Sequence, residues 1–278
     1  MLVEPTLDAI TYSASLSPRE VTCLAGWERE RRRYVTSDDL RALVGAPAAR
    51  AVASALVRKG VLQRVGRGLY LVRPFRSLLR PTRPSSPFVL GVLLHSEPYY
   101  LGGRWALAHH GLTGQQVPSR LDAFVTRRRP SRAVAGARVR FHVLPRRFIE
   151  HGVTSVDIEG IPIQVSDLER TLLDMLDHPR MVGGVRRAVE LFLDGLPRAR
   201  LDALVHLAIE VSRSCTCQRL GSILDRRMAP ERLLRKLDAR VKGTRSMISM
   251  VPGPRRGRFN RRWNVVENDD ALVTSAAS

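Results

Sequence analysis

Five apolar residues between positions 46 and 60, Ala49, Val52, Ala53, Leu56 and Val57, follow the i, i+3, i+4, i+7, i+8 spacing of a helix that buries one stripe. Pro47 opens this helix and Gly60 stops it, which leaves Arg50, Ala51, Ser54 and Arg58 on the opposite face. Upstream, Ser17-Pro18-Arg19-Glu20 supplies a capping serine, a proline at the first helical position and a glutamate three residues after the cap, so a helix runs from there to about Arg33. Thr36-Ser37-Asp38-Asp39 launches a short second helix that Gly45 ends. After Gly60 the sequence turns β-prone: Val61–Val65 and Leu69–Arg73 are short strands joined by Gly66-Arg67-Gly68. The order helix, short helix, helix, hairpin is the plan of a winged helix-turn-helix. In that plan the tight Gly45–Pro47 gap sets the third helix across the second, where its outward side chains fit a major groove ~12 Å wide.

The pattern changes at residues 74–87, where Pro74, Pro81, Pro84 and Pro87 interrupt any regular hydrogen bonding. This stretch reads as a linker between a winged-helix domain over residues 1–80 and a larger domain over 88–278. The second domain is mixed. Residues 103–110 look helical, and strands are expected over 121–126, 138–144, 153–158 and 161–165, the last two forming a hairpin through Glu159-Gly160. Ser166-Asp167-Leu168-Glu169 reads as a capping box that launches a helix with Leu168, Thr171, Leu172 and Met175 inward. Further helices follow, broken at Gly183-Gly184, Gly195-Leu196-Pro197 and near Pro230, before a short basic β-prone tail. The expected class is α+β, an N-terminal winged helix-turn-helix followed by a larger mixed α/β domain.

Charge sharpens this outline. The 278 residues carry 46 Lys+Arg against 26 Asp+Glu, a net +20 and an isoelectric point near 11.4, which favours a polyanionic partner. Only Lys59, Lys236 and Lys242 are lysines, so a genome rich in arginine codons would account for part of the excess. Clustering argues for more than that. Residues 1–86 hold 15 Lys/Arg and 7 Asp/Glu, a net +8. Residues 120–147 hold nine arginines and one acid, and residues 240–262 hold eight Lys/Arg and none. No acid lies between Ala46 and Arg73, so Arg50, Ser54 and Arg58 of the third helix and Gln63, Arg64, Arg67 and Arg73 of the hairpin are the candidate DNA contacts. Arg127, Arg128 and Arg129, with Arg255, Arg256 and Arg258 near Phe259 and Trp263, form candidate secondary patches for phosphate, RNA or an acidic partner.

Catalytic constellations fare poorly. His109 and His110 are adjacent on a helix, pointing about 100° apart, and so do not share a metal. Asp157 and Glu159 share one strand face, but no phosphate-binding loop precedes them and they sit at a hairpin tip. Cys23, Cys215 and Cys217 make neither a disulfide framework nor a zinc site. No catalytic residue, metal or cofactor is expected. The longest apolar run, Phe88–Leu94, is far short of the ~18 residues of a membrane span and the N-terminus has no leader pattern, so a cytoplasmic protein without membrane contact is expected.

Several segments, in order, resemble the AbiEi-type antitoxin family of bacterial abortive-infection toxin-antitoxin pairs. They are the wing Arg67-Gly68-Leu69-Tyr70; the run from Tyr99 to Leu112 with Thr113 and Gln115; Ile163 to Asp174; Gly183-Gly184; Leu220 to Leu224; and Asn260 to Asn264. The resemblance implies a non-enzymatic transcriptional autorepressor. Its winged helix would bind double-stranded operator DNA at inverted repeats, and its C-terminal domain would counter a nucleotidyltransferase-like toxin, with or without direct contact. An RNA-binding regulator using the C-terminal arginine patches is the alternative.

Overall fold

A computed structural model describes residues 16–73, 83–114 and 119–269. The chain divides into two compact units, Met1–Ser96 with Asp157–Pro162, and Glu97–Val156 with Ile163–Ser278.

The first unit begins with α1 (Pro18–Arg29), whose capping box is formed as its sequence requires: Ser17 Oγ accepts from Glu20 N, and the Glu20 carboxylate accepts from Ser17 N at 2.6 Å. The same carboxylate, buried, holds Lys59 Nζ at 2.7 Å, tying the start of α1 to the residue after α3. The helix stops four residues short of Arg33, because Arg31 takes φ 51° and Tyr34–Thr36 leaves as a strand, β1, that the pattern does not reveal. Thr36 and Asp39 make a second reciprocal box that opens α2 (Ser37–Val44), and Gly45, at φ 79°, breaks the chain into α3 (Ala46–Arg58). The two helices turn through 118°, within the range of helix-turn-helix units. β2 (Leu62–Gly66) and β3 (Leu69–Val72) complete an antiparallel sheet of order β1-β3-β2. Cys23, Trp27, Val35, Leu40, Val52 and Leu56 fill the core beneath it.

Residues 74–82, within the expected linker, lie outside the described residues, and α4 (Ser86–Leu94) belongs to the first unit. Ser85 caps this helix and Pro87 sits in its first turn. Its side chains are apolar on every face, so it carries no period to read and must be buried all round. Arg33 lies over the Phe88 ring at 5.6 Å, and Ser85 N donates to Glu159.

The second unit is built on a six-stranded sheet of order β6-β7-β5-β4-β9-β8. Its strands are β4 (Tyr99–Gly102), β5 (Arg120–Val125), β6 (Arg132–Val134), β7 (Ala137–Val143), β8 (Val153–Ile158) and β9 (Ile161–Ser166), the tip of the β8–β9 hairpin counting with the first unit. β4 and β6 are additions to the expected set. The helices are α5 (Gly103–His109), the single-turn α6 (Arg146–Ile149), α7 (Leu168–Asp177), α8 (Val185–Gly195), α9 (Leu201–Val211), α10 (Ser214–Arg226) and α11 (Glu231–Val241). The tail folds into a small sheet of order β10-β12-β11, from Ile248–Ser249, Val265–Glu267 and Arg258–Asn260. Trp263, fully buried, locks this sheet to α10: its ring packs on Gly221, where a Cβ would collide with it, and its indole N–H donates to Asp225 at 3.0 Å.

The helix after β9 departs from its expected start. Asp167, not Ser166, is the cap and accepts from Arg170 N at 2.7 Å, while Glu169 is occupied by Arg200 and Ser166 Oγ by Thr171. Leu172 and Met175 are buried as the stripe predicts, but so are Arg170, Asp174 and Asp177 on the same helix. Each of these polar groups is matched: Arg170 with Asp174 and Tyr100, and Asp177 with Thr216, Arg213 N and Arg213 Nε.

Candidate nucleic-acid interface

On α3 the buried stripe Ala49, Val52, Ala53 and Leu56 fixes the helix against the core, so Arg50, Ser54 and Arg58 form one exposed row. At 1.5 Å of rise per residue they are spaced by about 6 Å along the axis. Ala46, Pro47 and Ala51 are exposed beside them, small enough for the helix to approach a surface closely. Arg67 stands exposed at the tip of the hairpin. Arg64, also exposed, folds its Nε back to Gly66 O at 3.2 Å beside a bulge in the ladder. Arg73 donates to the half-buried Gln63 at 3.3 Å, so these two act as a pair. Gly68, at φ 65°, sits where a Cβ would meet Ser37 Oγ at 2.9 Å, and its carbonyl accepts from Ser37 N; the hairpin turn is therefore docked on the start of α2.

Ion pairing separates the basic residues of this unit. Arg32 is held by Glu30 and Asp39, Arg41 by Asp38, and Arg33 by Glu159, so the arginine run after α1 is largely consumed internally. Arg50, Arg58 and Arg67 form no ion pair among the described residues, and residues 46–73 contain no acid.

The C-terminal candidates split as well. Arg127 and Arg128 are exposed after β5, whereas Arg129 is ion-paired with Glu97. Arg255, Arg256 and Arg258 are exposed on the approach to and start of β11. The two patches therefore stand on different sheets. The parallel pairing of β5 and β7 further sets Arg120 opposite Arg138 and Asp122 opposite Arg140, a cross-strand concentration of arginine invisible without the register.

The residues tested for catalysis are accounted for otherwise. Asp157 accepts from Gly160 N in the hairpin turn, and Glu159 is taken up by Arg33 and Ser85 N. His110 Nε2 bonds Ser166 O, and His109 stacks on Trp105. Cys217 is fully buried, its thiol pushed up to about 12 by desolvation, and Cys215 is half-buried beside it. Among the described residues, no group of three His, Cys, Asp or Glu has the arrangement of a metal site, and no single helix is long and apolar enough to cross a membrane. Gln115 lies outside the described residues.

One titration bears on stability. Burial lowers His178 to about 4, with Asp177 opposing and His142 adding to the effect. A histidine so depressed is neutral in the fold and protonates on unfolding. Its stabilising contribution is therefore complete above the ordinary pKa near 6.5 and is lost as pH falls toward 4. His178→Gln is expected to remove up to about 3 kcal/mol of the fall in stability between pH 6.5 and 4. Urea melts of parent and variant across that range measure this difference, and parallel pH profiles would contradict it.

Residues 27–73, from the end of α1 through the hairpin, match the AbiEi antitoxin transcriptional-regulator family. Members of that family are transcriptional regulators and antitoxins, and the matched segment holds α2, α3 and the wing, with every residue of the exposed row. No curated protein sequence matches the chain significantly. The fold as a whole is similar to the crystal structure of the RV2827C protein from Mycobacterium tuberculosis, with 16% identity, a TM-score of 0.57 and coverage of 93% of this chain and 94% of that one. The likeness outside the AbiEi-matching segment is thus one of fold.

Proposed function

We propose that this protein is a DNA-binding transcriptional repressor of its own operon and the antitoxin of a bacterial toxin-antitoxin pair whose toxin is nucleotidyltransferase-like. The observation that carries the reading is the exposed, unpaired row Arg50, Ser54 and Arg58 on a helix turned 118° from its predecessor, beside a hairpin tipped by Arg67. A row of donors free of acid suits the acceptors of a major groove, and an arginine-tipped wing suits the flanking phosphates. The winged helix carries repression and the second unit carries neutralisation, in the cytoplasm and without catalysis. Inverted-repeat operators fit two copies of one recognition helix.

The test uses the full chain. Arg50, Arg58 and Arg67 replaced together by alanine should lose binding to duplex DNA from upstream of the gene by at least tenfold and release a reporter from repression. The same variant should still rescue cells from the neighbouring toxin. Failure of the parent protein to bind that DNA, or loss of rescue in the folded variant, would overturn the assignment.

A further inference from the structure

Several arginines of the second unit are committed to acids. Arg170, Arg200, Arg213, Arg226, Arg232 and Arg262 each hold a carboxylate. The tail differs. Lys242, Arg245, Arg255, Arg256, Arg258 and Arg261 are all exposed and form no ion pair among the described residues. The described acids that follow β11 in sequence, Glu267 and Asp269, are already in use. Arg258 lies across the ladder from Glu267, but that carboxylate is buried and taken by Arg226, Ser222 and Asn260, while Asp269 is held by Arg186. Among the described residues no acid pairs with these six cations.

Within this stretch of sequence Phe259, on the edge strand β11 and on the opposite face of that strand from Arg258, has 45% of its surface in solvent. The sheet beneath does not need this ring as its anchor, because Trp263 fills that role: it is fully buried against α10, and Gln218 Nε2 bonds its carbonyl. Gly257, at φ 145°, lies so close to the Glu267 backbone that a Cβ would collide with it, which fixes the entry to β11 and the placing of Arg256 and Arg258 on either side. An exposed aromatic ring on a held strand, flanked in sequence by exposed arginines that form no ion pair among the described residues, offers a base a surface to stack on and the neighbouring phosphates cations to meet. A duplex offers the phosphates but keeps its base faces inside the stack. An acidic protein surface answers the charge and leaves the ring unmatched. We infer that this exposed segment around the edge strand β11 binds single-stranded nucleic acid, with Phe259 under one base and Arg255, Arg256 and Arg258 on phosphates to either side.

The experiment measures binding of the full chain to a fluorescent twelve-nucleotide oligouridylate by anisotropy over a salt series, with a duplex of equal length and polyglutamate as competitors. Phe259→Ala should weaken binding roughly tenfold and Phe259→Trp should restore it, as stacking requires. Arg255, Arg256 and Arg258 replaced together by alanine should lower the salt slope by about 2, at ~0.7 for each single-strand phosphate no longer neutralised. Arg50→Ala should leave this binding unchanged while weakening duplex binding, so this inference and the proposed operator reading fail separately. The proposal is overturned if the oligouridylate does not bind at low salt, if Phe259→Ala stays within twofold of the parent, or if duplex or polyglutamate competes as well as the single strand. Because the ring is half in solvent, thermal melts should match; if alanine lowers the melt, the alanine-to-tryptophan comparison is replaced by Phe259→Leu against Phe259→Tyr, where weaker binding by leucine supports stacking and equal binding overturns it.

Discussion

Arg170→Met is expected to destabilise the second unit by about 3–5 kcal/mol, the cost of leaving a buried carboxylate without its cation. The guanidinium is 2% exposed and satisfied on every side. Nε donates to Asp174 at 2.9 Å, one terminal nitrogen donates to the Tyr100 hydroxyl at 2.8 Å, and the other donates to the carbonyls of Phe148 and His151 at 2.9 and 3.1 Å. Tyr100 in turn donates to the second oxygen of Asp174 at 2.9 Å, closing a three-membered network. Burial pushes Asp174 up to about 6 even with Arg170 beside it. That group takes up a proton more readily folded than unfolded, so its share of stability is present at low pH and lost as pH rises through 6. Removing Arg170 raises the carboxyl further, so the penalty should be larger at pH 8 than at pH 5. Arg170→Met combined with Asp174→Leu should recover much of the loss, because two charges then leave together. Urea melts of the three proteins at both pH values decide the matter. A loss below 1 kcal/mol at pH 8, or no recovery in the double variant, would show that the network does not hold the unit together.

That network marks the limit of what the residues disclose by pattern. The winged helix is legible because each of its devices is local: a capping box is set by residues three apart, a break by one glycine, and the outward face of α3 by a stripe confined to thirteen positions. β1 escapes because three residues are too few to show alternation, and its identity comes from pairing with β3, some 35 positions later. α4 escapes for the opposite reason, since a helix apolar on all faces has no period. On α7 the stripe Leu172 and Met175 is readable, yet it suggests that Arg170 and Asp174 face water. Their partners Tyr100, Phe148 and His151 lie 19 to 74 positions away, and only the tertiary fold brings them in. The candidate interface divides along the same line. The exposure of Arg50 and Arg67 follows from local pattern, whereas the pairing of Arg129 with Glu97, the pairing of Arg73 with Gln63, and the burial of Trp263 beside the exposure of Phe259 do not.

Arg50→Ala and Arg67→Ala should separate specificity from affinity. Arg50 leads the exposed row of α3, four residues before Ser54 and eight before Arg58, at the end of the helix nearest the turn from α2. In helix-turn-helix proteins this end reaches the base edges, so its loss should cost about 1–3 kcal/mol on the operator, roughly 5- to 150-fold in affinity, and relax sequence preference there. Arg67 sits at the tip of a hairpin docked through Gly68 on the start of α2, with no acid or carbonyl holding it among the described residues. It therefore suits a phosphate, which carries no sequence information. Its loss should weaken operator and scrambled duplexes alike and lower the salt slope by about one unit, the signature of one phosphate left unneutralised. Arg64 should contribute less than Arg67, because its guanidinium is already engaged by Gly66 O and that bond must break before DNA is reached. Titration of operator and scrambled duplexes over 50 to 200 mM salt gives both quantities for each variant, a range over which phosphate contacts shift affinity by orders of magnitude. Should Arg50→Ala weaken both duplexes equally while Arg67→Ala abolishes discrimination, the hairpin and not α3 reads the sequence.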